Sequence, residues 1–158
     1  CEGMDCRDAA GILKNAPLWD GAPPPYQETR FLIVDDAPRV ICIDSASLVK
    51  AEDAGQIVIT GSHGGLIGGK REKAFNVDAA VTVFNDAGIG MDNAGIGRLE
   101  PLEERRIAAV TVSNATARMG DSRSTYHQGV ISHANSFARA LGAVPGESLK
   151  GFIAQDRE

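Results

Sequence analysis

Residues 56–69 read QIVITGSHGGLIGG. The opening QIVIT has the texture of a buried strand, and the chain then leaves it through five glycines set around Ser62 and His63. Two more runs of the same texture follow, AAVTVF at 79–84 and IAAVTVS at 107–113. Continuous apolar runs of this length mark strands covered on both faces, as in a parallel sheet. Short helical segments separate them. KREKAFN at 70–76 is one, and LEPLEERR at 99–106 is another. In the second, Pro101 suits a first turn, Glu103 and Glu104 follow, and Arg105 and Arg106 close it, an order that complements the helix dipole.

Upstream, TRFLIVD at 29–35 and RVICID at 39–44 read as two strands joined by a tight turn. KAEDAG at 50–55 makes a helical turn closed by Gly55. Downstream, VISHANSFARALG at 130–142 places Val130, Ala134, Phe137, Ala138 and Leu141 on one helical face, and PGESLKGFIAQ at 145–155 is a final short helix. The expected fold is α/β, a small three-layer sandwich with a mostly parallel, Rossmann-like central sheet and an N-terminal β-hairpin. Residues 1–28 stand apart as an N-terminal Pro-rich arm, able to hold one short helix before Pro23, Pro24 and Pro25 fix an extended path. Residues 29–158 form a single α/β domain, and its lean sheet suits a homo-oligomer with the arm as a docking element.

Composition narrows the class. Aromatics make up only 5% of the chain, so Ala, Val, Ile and Leu fill the core. The net charge of −5 argues against a general nucleic-acid binder. No apolar run approaches the roughly 18 residues of a membrane span. Of three cysteines, Cys42 lies in the apolar VICI, and the four residues between Cys1 and Cys6 do not match a zinc knuckle. This pattern fits a reduced, cytoplasmic protein. Cys1 in first position is read as trimming or a fragment boundary, with maturation at that residue as the alternative.

Ligands of open α/β sheets bind outside the carboxyl ends of the strands. Here three polar loops leave those ends: GSHGGLIGG, NDAGIGMDNAGIG and SNATARMGDSRSTYHQG. Half of the 18 glycines fall between Gly61 and Gly97. Their spacing is neither the dinucleotide fingerprint nor a P-loop, which leaves an anion-binding nest or a tight crossover. Histidine is the residue type suited to proton transfer near neutral pH, which makes His63 the best single candidate. Asp86, Asp121 and Ser62 complete the catalytic candidates, as general base, metal ligand or nucleophile. Gly64, Gly65, Asn85, Asn114, Arg118, Ser122 and Arg123 are the substrate-binding candidates. The two arginines suit a carboxylate or phosphate, and the asparagines suit an oxyanion. No cofactor motif is present. His63, Asp86 and Asp92 are the candidate ligands for a divalent metal.

The stretch FNDAGIGMDNAGIGRLEPLEERRIAAVTVS, residues 84–113, resembles the strand–loop–helix–strand opening of the stationary-phase survival nucleotidases. In that family the strand ends in Asn-Asp-Asp-Gly and the paired aspartates bind a divalent metal. The resemblance implies an α/β geometry and a role for Asp86. Ala87 replaces the second aspartate, and the segment lies mid-chain rather than at the start. The expected function is an enzyme, a hydrolase acting on a small polar or anionic molecule. The alternatives are a lyase or isomerase using the same residues, or a non-catalytic ligand-binding subunit of a larger assembly.

Overall fold

A computed structural model describes residues 3–23 and 25–155. Cys1 and Pro24 lie outside the described residues. Six strands form one mixed, mostly parallel sheet in the order β1-β2-β3-β4-β5-β6: β1 (Arg30–Val34), β2 (Val40–Ile43), β3 (Ile57–His63), β4 (Val81–Asn85), β5 (Ala108–Val112) and β6 (Ile131–Ala134). The two outer pairs are antiparallel and β2 to β5 are parallel. The helices are α1 (Cys6–Lys14), α2 (Leu99–Glu104), α3 (Ser122–Gln128), α4 (Ser136–Ala140) and α5 (Leu149–Gln155). No described helix is long and apolar enough to cross a membrane.

The strand order is consecutive. A Rossmann-like sheet reverses its order near the middle, and this one does not. Parallel crossovers are right-handed, so a sheet that always grows in one direction must carry them all on one face. The core confirms this. Leu48 and Val49 (β2 to β3), Phe75 and Ala79 (β3 to β4) and Leu99 and Leu102 (β4 to β5) pack in one cluster with Ile41, Val58 and Phe84. The opposite face, Val40, Ile59, Val83 and Val110, is covered by Tyr126 of α3, Ala138 of α4, and Leu149, Phe152 and Ile153 of α5. Cys42 lies on this second face, where burial pushes its thiol up to about 12 and keeps it an inert apolar filler.

Three local expectations change. KREKAFN forms only a 3-10 turn at Arg71–Lys73. The helical face expected across 130–142 is split into β6 and α4. Asn135 makes the break: its Nδ2 donates to Ile107 O (2.8 Å), while its Oδ1 accepts from Ala109 N (3.1 Å) and caps α4 at Ala138 N (3.0 Å). Residues 122–128, read as loop, are α3, capped by Asp121 Oδ1 accepting from Ser124 N at 3.0 Å. In the arm, α1 buries none of its residues, and Tyr26 donates to Gly120 O at 3.2 Å.

Candidate functional site

The site is built where β2, β3, β4 and β5 end. His63 is the last residue of β3 and is exposed. Its Nδ1 accepts a hydrogen bond from the Gly65 amide at 3.1 Å. A neutral imidazole bonded this way carries its proton on Nε2, so His63 presents a donor. The two glycines after it are needed for backbone contact. A Cβ on Gly64 would lie 2.5 Å from Gly95 O, and one on Gly65 would lie 2.8 Å from Ala94 O. Their polar groups are engaged internally: Gly64 N donates to Asn85 O (2.7 Å) and Gly64 O accepts from Arg98 N (2.8 Å). The Ser62 hydroxyl is half-buried and accepts from Ala46 N at 2.9 Å.

At the end of β4, Asn85 and Asp86 are buried and serve the loops around them. Asn85 Nδ2 donates to Ala117 O (3.0 Å), and its Oδ1 accepts from Ala87 N (2.9 Å). Asp86 Oδ1 accepts from Gly88 N and Asn114 N, both at 2.9 Å. The following backbone is unusual. Ala87, Gly88, Ile89, Gly90, Asp92 and Asn93 all have positive φ, 65° at the β-branched Ile89. A non-glycine residue held there costs about 1–3 kcal/mol, and such strain concentrates at functional sites. The Ile89 amide donates to Asp86 O (2.7 Å) and the Gly95 amide to Ile89 O (2.7 Å), which hold the strained turn in place.

At the end of β5, Asn114 is exposed and Ser122 is fully buried. Ser122 Oγ and N donate to Asp44 Oδ1 at 2.8 and 3.0 Å. Asp44, at the end of β2, also accepts from Thr29 N (2.8 Å) and Thr29 Oγ1 (2.6 Å) through Oδ2. Burial pushes this carboxyl up, but the hydrogen bonds from Thr29 and Ser122 outweigh it and hold it below its ordinary value. Beside this clamp lies a cavity of about 290 Å³ lined by Tyr26, Thr29, Asp44, Arg118, Asp121 and Arg123 among others. Arg118 and Asp121 also line an adjoining hollow of about 430 Å³ that reaches Asn114. Arg123 lies over the Phe31 ring, 3.9 Å from its centroid. Among the described residues, neither Arg118 nor Arg123 has a carboxylate within 4.0 Å.

The structure thus brings Arg118, Asp121 and Arg123 to one cavity and Asn114 to its neighbour. Asp92 lines a different hollow, with His133 and Glu103. Among the described residues no three His, Cys, Asp or Glu side chains group as metal ligands, so His63, Asp86 and Asp92 do not form one shell.

Two residues escaped the sequence reading. Asp44 ends a strand just as the three chosen loops do, and the strand-end rule applied to β2 would have found it. Arg98 had no such signal, since it reads as an ordinary charge before a helix. It is only 3% exposed and donates from Nε to Gly65 O (3.0 Å) and from Nη1 to Ala74 O. Its guanidinium sits 5.0 Å from the Phe84 ring centroid, and burial pulls its pKa down. No protein-family model matches the chain, and neither a curated protein nor a solved structure does.

Proposed function

We propose that the chain is an enzyme that hydrolyses a small anionic molecule at the carboxyl ends of its strands. One observation carries the reading: Arg118 and Arg123 share a cavity, and although Asp44 and Asp121 also line it, neither arginine has a carboxylate within 4.0 Å among the described residues. In a chain of net charge −5, acids to pair them are plentiful. Two guanidiniums lining one cavity without an ion pair suit a carboxylate or phosphate. In this reading the arginines hold the anion. Asp121, which lines both hollows, takes the proton from the attacking water. His63, at the end of the neighbouring strand β3, lines neither hollow; in this reading a bound substrate extends to its Nε2, which donates to the oxygen that gains charge. Asp44, already saturated by four donors, fixes α3 and takes no part in proton transfer.

The test is calorimetric titration with phosphate and citrate, alongside a turnover screen of small esters, amides and phosphoesters. Arg118→Ala and Arg123→Gln should each weaken anion binding about tenfold, the scale of one charge-assisted hydrogen bond. The double variant should bind no anion at this cavity. His63→Ala should lower any hydrolysis found by about 10²–10⁴ while leaving anion binding in place. A double variant that binds phosphate and citrate as the wild type does would sink the proposal. A non-catalytic ligand-binding subunit is the second reading, favoured by the commitment of Asn85 and Asp86 to backbone amides and a carbonyl. It keeps the anion binding and has no turnover.

A further inference from the structure

A second cavity, of about 270 Å³, lies against the crossover face, away from Arg118 and Arg123. Its walls are mostly apolar, from Ala46, Ile67 and Phe75, and its polar lining includes Lys73, Asn76 and Arg98. Arg98 is the unusual member. Two of its nitrogens donate to backbone carbonyls, which attract the charge without neutralising it. No carboxylate lies within 4.0 Å of Arg98 or Lys73 among the described residues. Three acids of the surrounding segments are engaged elsewhere, Glu100 and Glu104 with Arg71 and Asp78 with Arg105, and Glu72, next to Lys73 in sequence, lies more than 4.0 Å from both cations. A buried cation without a counter-ion is costly, because it has lost its water and gained no opposite charge. An anion in the cavity would remove that cost, and the apolar walls would take an apolar body.

We propose that this cavity binds a small monocarboxylate with a short apolar body, its carboxylate between Arg98 and Lys73 and its body against Ile67 and Phe75. The site also touches the His63 loop. Arg98 bonds Gly65 O through Nε, and the Gly65 amide bonds His63 Nδ1. Occupancy is therefore felt at the His63 ring, one of only three histidines in the chain.

The experiment titrates the full chain with butanoate and benzoate, and separately with butanamide and benzamide, by calorimetry and thermal unfolding. The carboxylates should bind and raise the unfolding temperature, and the amides should do neither. Lys73→Ala should weaken carboxylate binding about tenfold, and Ile67→Trp, at an exposed position, should block the mouth. The His63 ring signals should shift with benzoate in the wild type and stay still in Lys73→Glu. Arg98→Lys tests the fork directly if it folds, and the Lys73 and Ile67 variants decide the matter if it does not. The Arg118→Ala/Arg123→Gln double variant should bind benzoate normally, which separates this cavity from the one above. Amides that bind as well as acids, benzoate binding unchanged in Lys73→Glu, or no carboxylate binding at about 10 mM each overturn the proposal.

Discussion

Gly95→Ala should lose about 3–5 kcal/mol of stability or fail to fold, among the largest effects a single methyl can have. The new Cβ would stand 1.9 Å from Asp86 O, with Asp86 C and Ile89 O both at 3.0 Å. All three atoms are backbone. Asp86 is held in place, because its amide donates to Val112 O at 2.8 Å and its carbonyl accepts from Ile89 N at 2.7 Å. Making room would break the Gly95 to Ile89 bond, which supports the positive-φ turn. It would also lift residues 94–95 from Gly64 and Gly65. Urea unfolding gives the measurement. Gly97→Ala is the control. Its nearest contact would be 3.4 Å and its backbone is helical, so it should change stability by less than about 0.5 kcal/mol.

The second large effect is at Asp44. Asp44→Ala should cost about 3 kcal/mol, because it strands four donors, two of them on the fully buried Ser122. Asp44→Asn should cost less, since one amide oxygen still accepts from one of the two donor pairs. The pH dependence separates charge from shape. The folded carboxyl is held below its unfolded value, so its contribution is complete above about pH 4 and is lost as pH falls through the folded pKa. Asp53 is also lowered and acts in the same direction. The informative quantity is therefore the difference between wild type and Asp44→Asn. That gap should be wide at about pH 7 and shrink towards about pH 2. A gap that does not change with pH would mean that the carboxylate charge contributes nothing to the clamp.

The buried strands were legible because continuous apolar runs have no other comfortable home. β3, β4 and β5 lie where the runs at 56–60, 79–84 and 107–113 put them. β6 was hidden because ISHA also fits a helical period, and the deciding contacts of Asn135 are long-range. α3 was hidden because SRSTYHQ shows no apolar stripe. Only its capping Asp121 signals a helix start, and that cue is short. Strand order is not a local property, so the consecutive wiring could not be read from periodicity. For the site, the strand-end rule gathered Arg118, Asp121 and Arg123 at one cavity. It could not show that Asn85 and Asp86 would turn towards the backbone, because that depends on which amides lie within reach once the loops fold.

The one-directional sheet has a consequence for how the chain is made. Val40 pairs with Ile57, Ile57 with Val81, and Val81 with Ala108, so each strand joins an edge supplied by the segment translated just before it. The crossovers shield one face as they emerge, since Phe75 and Leu102 arrive between the strands they cover. The other face waits. Its cover comes from Tyr126, Ala138, Leu149, Phe152 and Ile153, all later in the chain than β5. At about 5–20 residues per second, a sheet that assembles during synthesis would show water one bare apolar side for seconds after its parallel strands are complete. Chaperone contact during synthesis should therefore fall on that side, around Val83 and Val110.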